Sequence, residues 1–177
     1  MESIKLKDFD QKLPDLMPVS VVMEKRPSTH EWSNFNYQVV GILTADEVES
    51  ESVKKIHAEN GVEQFLFTGL KLRLHVDECE SYYHNMMSPQ PGCFVVASEV
   101  DDLDDMPVPY LVSLSFDEAH AYLEGCENVY AVEIPPLLYQ WMEAFVLAHY
   151  AATKKTKRKR KDWKDQAQPN ISVEPKP

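Results

Sequence analysis

Glycine is scarce in this chain. Only five occur in 177 residues, Gly41, Gly61, Gly69, Gly92 and Gly125. They are too scattered to assemble a phosphate-cradling loop or a dinucleotide fingerprint, which excludes nucleotide binding by those routes. Cysteine is scarcer still. Cys79, Cys93 and Cys126 form no CxxC and cannot all pair, which argues against a disulfide-stapled secreted domain and for a reducing cytoplasm. No apolar run approaches the roughly 18 residues of a membrane span, and the first eight residues, Met1 to Asp8, lack the apolar core of a signal peptide. The expectation is a soluble, unexported, cytoplasmic protein with no membrane contact.

Catalytic and metal signatures are equally thin. There is no GxSxG, and a Cys/His nucleophile pair is always drawable from three cysteines and six histidines, so that signal carries almost nothing. His75, Cys79, His84 and Cys93 lie close in sequence but match no zinc spacing. The acidic run Asp101 to Asp105 lacks the glycine and terminal glutamate of a calcium loop and reads as solvated surface. No catalytic residue, metal or cofactor is assigned.

What the chain does have is a division of charge. Residues 1–150 hold nine Lys/Arg against 26 Asp/Glu, a net of −17, while residues 151–177 hold nine against three, a net of +6. An acidic body carries a basic handle that seeks an acidic surface. The handle centres on Lys157, Arg158, Lys159, Arg160 and Lys161, with Trp163 just beyond. Docking on a protein, a nuclear address and a nucleic-acid arm are its three readings. The body's net charge repels phosphates, which disfavours nucleic acid. Intramolecular docking on the acidic loops is the plainest alternative.

The length suits one domain with flexible ends: a loose segment 1–17, an ordered body 18–150 and a largely disordered basic tail 151–177. Val19 to Met23 reads as a central strand, apolar on both faces, and Tyr37 to Leu43 as a second. Ser52 to Glu59 suggests a short helix, and Asn60-Gly61 a turn into the next strand. In that strand Leu70, Leu72 and Leu74 alternate strictly with Lys71, Arg73 and His75, the period of a half-buried strand, and Gly69 marks a bulge or bend before it. Asp77 with Glu80 resembles a capping box opening a helix that Ser88-Pro89 stops. Strands follow at Phe94 to Ser98 and Tyr110 to Leu114. Ser115 with Glu118 forms a second capping box, Phe116, Ala119 and Leu123 a buried stripe, and Gly125 a left-handed C-terminal cap. After a strand at Val129 to Ile134, Pro135-Pro136 opens a last helix running to about Tyr150. Leu137, Trp141, Ala144, Phe145 and Ala148 should form its buried stripe, and Gln140, Glu143, Leu147 and Tyr150 its outer one. The order does not alternate as a doubly wound sheet must. The fold class is α+β, about six mainly antiparallel strands with two to three helices, and Val19 to Met23, Phe94 to Ala97 and the last helix should share one core.

Two places invite a functional reading. Leu147 and Tyr150, on the half-polar outer face of a helix otherwise apolar all round, suit a partner surface beside the basic tail, although a fully buried core helix is the simpler reading. Glu24-Lys25-Arg26-Pro27 with His30 and Trp32 concentrates charge and an indole just after a central strand. Arg26 suits a carboxylate of a ligand or partner with Trp32 stacked over it, although an internal Glu24–Arg26 pair that holds the loop is the simpler reading. Together with Arg73 these residues define the alternative of a small-ligand site or an enzyme.

In order along the chain, Pro18 to Pro27 with Trp32, Glu80-Ser81-Tyr82-Tyr83-His84-Asn85, Pro109-Tyr110-Leu111-Val112, Phe116 to Gly125, Ala131 to Pro135, Ala144-Phe145-Val146 and Lys157 to Lys161 resemble a bacterial family, domain of unknown function 3305. The resemblance implies a small cytoplasmic accessory factor encoded near molybdenum-dependent formate dehydrogenases, with no assigned reaction. The expected partner is therefore a protein, formate dehydrogenase or its maturation proteins. Lys25-Arg26 departs from the paired arginines of that family, and a lysine cannot supply the second planar fork.

Overall fold

The computed structural model describes residues 14–99 and 106–150. Strands β1 (Leu16–Pro27), β2 (Phe35–Thr44), β3 (Ser52–Glu59) and β4 (Val62–Arg73) come first, followed by helix α1 (Cys79–Met86). Then come β5 (Gly92–Glu99), β6 (Pro107–Ser113), α2 (Phe116–Glu124), β7 (Asn128–Glu133) and α3 (Pro136–His149). The strands form one sheet in the order β2-β1-β4-β6-β5-β7, with β3 also paired to β4. Every pairing is antiparallel except β4 with β6, which meet in parallel at Leu72 and Val112. The terminal strands β2 and β7 approach each other, so the sheet curls most of the way to a barrel.

The α+β class holds, and the one core forms as expected. Val19, Val21 and Met23 of β1, Val95 and Ala97 of β5, and Leu138, Trp141, Met142, Phe145 and Val146 of α3 belong to a single buried cluster. The helix lies on the concave side of the sheet, where its Trp141 Nε1 donates to the Pro14 carbonyl at 2.7 Å. Phe94 and Val96, on the other face of β5, are also buried. Phe94 tilts against Phe116 of α2, so α2 covers the convex face.

Several local expectations change. Ser52–Glu59 is a strand, not a helix. Asn60 and Gly61 adopt φ of 54° and 79°, the mirror-image turn that closes two-residue hairpins, and Glu59 pairs directly with Val62. All eight residues of β3 are exposed, so no buried face marked its period. Order begins before residue 18: β1 starts at Leu16, and Leu74 N donates to the Asp15 carbonyl at 2.8 Å. Gly69 does mark a bulge. Its φ is +87°, and a Cβ there would lie 2.7 Å from the Glu51 backbone, which crosses over it.

Asp77 does not cap α1. A 3-10 turn at Val76–Glu78 precedes the helix, and the cap position, Glu78, makes no side-chain capping bond. Ser115 does cap α2, accepting from Glu118 N at 3.1 Å. The Glu118 carboxylate accepts from Ser113 Oγ instead of returning to Ser115, whose own N–H donates to Ser113 Oγ at 3.0 Å. Gly125 has φ −77°, and the left-handed residue is Cys126, with φ +63°. Leu123 is 50% exposed, leaving Ala119 as the buried centre of α2. The buried face of α3 is also rotated from expectation: Leu138 and Met142 are buried, whereas Leu137 and Ala148 are exposed. A helix apolar all round carries no phase in its sequence.

Candidate functional site

On the convex face of β1 the side chains of Ser20, Val22, Glu24 and Arg26 follow the strand period. Register places Glu24 between Gln38 of β2 and Gln64 of β4. Glu24 is 4% exposed, and its carboxylate is fully engaged. Oε1 accepts from Gln38 Nε2 at 3.0 Å and from Arg26 Nε, and Oε2 accepts from Gln64 Nε2 at 2.8 Å. The bond from Arg26 above all, then that from Gln64, holds the carboxyl below its ordinary range against the opposing pull of burial. The result is an ionised carboxylate that ties three strands together and fixes one edge of a half-exposed guanidinium.

On the concave face of the same rung, Lys25 Nζ sits 4.1 Å from the Phe35 ring centroid, and Lys55 pairs with Glu63. Trp32, in the β1–β2 loop, is 95% exposed. Among the described residues the cations lying over rings are Lys25 on Phe35 and Lys55 on Phe65, so Arg26 is not stacked beneath Trp32. Arg73 lies elsewhere. It pairs with Leu16 at the start of β1, whereas Arg26 pairs with Asn36 near its end, a separation of roughly 33 Å at the rise of a strand. Arg26 and Arg73 do not converge on one small ligand.

The second candidate surface is the end of α3. Leu147 is 80% exposed. Tyr150 is not bare, because it stacks on Tyr83 of α1 with ring centroids 5.3 Å apart and planes 25° apart. Tyr83 and Met87 are themselves exposed, so the two helices present a mixed aromatic and aliphatic patch where the chain leaves the domain. From there Leu147, Glu143, Gln140 and Pro136 run up the outer side of α3 at helical spacing, all exposed. The stripe ends in a groove of about 820 Å³, lined by Pro89, Pro91, Val132, Ile134, Pro136 and Tyr139 among others. Lys157, Arg158, Lys159, Arg160 and Lys161 lie outside the described residues.

Sequence reasoning missed two buried polar sites. Asn85 is wholly buried. Its Nδ2 donates to the carbonyls of Gly92 and Leu114, both at 2.8 Å, and its Oδ1 accepts from Gly92 N at 2.9 Å. At the second, Ser115 Oγ donates to Glu78 Oε2 at 2.6 Å and lies 3.0 Å from Ser81 Oγ, which accepts from Asp117 N at 3.1 Å. These bonds join α1 to the start of α2. An asparagine and a serine on the buried face of a short amphipathic helix were the available signals.

Cys79 and Cys93 are buried and Cys126 is exposed. Burial pushes the Cys93 thiol up to about 12 and raises that of Cys79 as well, with Asp77 adding to the effect. Among the described residues no group of three or more His, Cys, Asp or Glu side chains is placed to hold a metal ion, and no helix is long and apolar enough to cross a membrane.

Charge is divided within the body itself. The Lys/Arg of residues 14–150 are Lys25, Arg26, Lys54, Lys55, Lys71 and Arg73, all on β1, β3 and β4. The stretch 74–153, within which α1–α3 and β5–β7 fall, contains 14 Asp/Glu and no Lys or Arg in its sequence.

A curled α+β sheet with α3 on its concave face and α2 on its convex face thus defines the class of domain. The chain belongs to the family described as "Protein of unknown function (DUF3305)", which matches residues 18–160. Comparison with curated proteins and with solved structures gives no match.

Proposed function

We propose that the protein is a non-enzymatic, cytoplasmic accessory or assembly factor of a molybdenum-dependent formate dehydrogenase system, acting by binding the enzyme or one of its maturation proteins. The formate dehydrogenase association rests on the family resemblance. The observation that carries the binding reading is the end of α3, where an 80% exposed Leu147 adjoins the Tyr150–Tyr83 stack immediately before the basic run. Exposed aromatic and aliphatic side chains beside a cationic segment suit a partner with an apolar patch bordered by acidic groups.

The test is capture from the native host with the tagged full chain, the Leu147→Asp variant, and a variant with Lys157 to Lys161 replaced by glutamine. Formate dehydrogenase or its maturation proteins should co-purify with the wild type. Both variants and moderate salt should weaken that capture, because exposed charge attraction is screened beyond about 8 Å at physiological ionic strength. Unchanged capture with both variants, or retention of nucleic acid in place of protein, refutes the reading. The competing small-ligand site keeps Arg26 and Trp32, supported by the fixed guanidinium edge, but loses Arg73 to the far end of the strand pair.

A further inference from the structure

We infer that the groove at the start of α3 is a docking site for the chain's own tail, with Trp163 as the inserted residue and Lys157 to Lys161 lying along α3, past Glu143, on the way to it. Three observations converge on this occupant. The first is the path. The chain leaves α3 at Tyr150, held against α1 by the stack on Tyr83. From that exit, Leu147, Glu143, Gln140 and Pro136 mark a single exposed stripe that ends in the groove.

The second is reach. The 14 residues of α3 span roughly 21 Å at 1.5 Å per residue. The 12 residues between Tyr150 and Trp163 cover about 40 Å when extended. The tail can double back along the helix with slack remaining.

The third is complementarity. Trp163 is the only aromatic residue of the segment 151–177, and the groove offers proline and tyrosine faces, Pro89, Pro91, Pro136 and Tyr139, suited to an indole. Glu143 on the stripe and Glu133 on the groove wall meet the tail's cations within a stretch, 74–153, that has no Lys or Arg to compete for them. Tethering strengthens the contact, because a short covalent tether supplies an effective concentration of about 1 mM. A weak intrinsic affinity is then enough to keep the site filled.

This contact is independent of the partner reading. If that reading holds as well, a partner of the tail must displace it from α3. The experiment records amide chemical shifts of Gly92, Val132, Tyr139 and Gln140 in the full chain, in Trp163→Ala, and in the variant with Lys157 to Lys161 changed to glutamine. Both variants should shift these amides in the same direction. Added salt should move the wild type towards the Lys-to-Gln variant, and the differences should not depend on protein concentration. Amides unaffected by either variant overturn the proposal. Shifts that grow with concentration alongside dimer formation in sedimentation also overturn it, because the occupant is then the tail of a second copy. Neither outcome bears on capture of the formate dehydrogenase system, so failure here and failure of the partner reading are distinguishable.

Discussion

Replacing Glu24 tests whether an ionised carboxylate on the convex face of the sheet stabilises the fold. Its two oxygens accept from Arg26, Gln38 and Gln64, so Glu24→Ala removes three bonds to a charged acceptor. Hydrogen bonds to charged groups are worth about 1.5–3 kcal/mol each when buried. The partners here are not deeply buried: Arg26 and Gln38 are exposed and recover water when released, and an exposed ion pair contributes little. The expected loss for Glu24→Ala is therefore about 3 kcal/mol rather than the full sum. In Glu24→Gln the flanking glutamine amides can flip to restore neutral bonds, so about 1–2 kcal/mol is lost, chiefly with the charge. At about 4 °C per kcal/mol for a domain of this size, Glu24→Ala should melt roughly 12 °C lower.

The pH dependence gives the sharper check. Glu24 has a depressed folded value, so its contribution is fully present above the unfolded carboxyl value of about 4.3. The contribution is lost as pH falls through the folded value. Urea denaturation of wild type and Glu24→Gln should show a gap at pH 7 that narrows below about pH 4. Equal stability at pH 7, or a gap unchanged down to pH 3, would refute the assignment of a stabilising ionised carboxylate.

Further outcomes follow from the backbone and the thiols. Gly69→Ala should destabilise by about 2–3 kcal/mol, because φ is positive and a Cβ would lie only 2.7 Å from the Glu51 backbone. Gly41→Ala should be neutral or mildly stabilising, since nothing lies within 4 Å of its Cβ; chemical denaturation of the pair checks the contrast. In native protein at pH 8 a thiol reagent should titrate Cys126 rapidly and Cys93 only on unfolding, because burial holds the Cys93 thiol near 12. Replacing all three cysteines with Ala or Ser should leave partner capture intact apart from a packing cost. Stoichiometric zinc or iron in host-purified protein that disappears in the triple variant would show otherwise.

The sequence disclosed the fold wherever burial imposed a period. Leu70, Leu72 and Leu74 alternate because they point inward past the Gly69 bulge, and Ser115 announced α2 because a serine hydroxyl can satisfy an orphan N–H. Where burial imposes no period, the reading failed. β3 is exposed along its length and is held by its pairing with β4, not by an apolar face. In α3 apolar residues on every side left the buried stripe undetermined, and Leu138 and Met142 took the places expected of Leu137 and Ala148. The Glu24 ladder was half visible. Arg26 is two residues away, but Gln38 and Gln64 are 14 and 40 residues distant, and only the register brings them in. The separation of Arg26 from Arg73 has the same origin, since both belong to the same strand pair at opposite ends.

The charge division bears on how the helices are stabilised. Surface helices usually gain a few tenths of a kcal/mol from each Glu–Lys pair spaced four apart. α1, α2 and α3 have none, because residues 74–153 contain no Lys or Arg. The charged pair available on α1, Glu80 with His84 at 3.8 Å, needs a protonated histidine. The stretch 74–153 thus holds fourteen Asp/Glu and no Lys or Arg in its sequence, and an excess of one charge sign favours a cationic segment that comes to rest beside it. The nearest such segment along the chain is Lys154 to Lys161, which follows directly from the last helix. This stretch and the tail are thus opposite in charge by composition, and under the proposed tail docking an acidic partner would have to offer the tail more than the body does. On the proposed partner reading, the exposed Leu147 and the Tyr150–Tyr83 stack would add an apolar contact, one that does not weaken with salt as the charge attraction does.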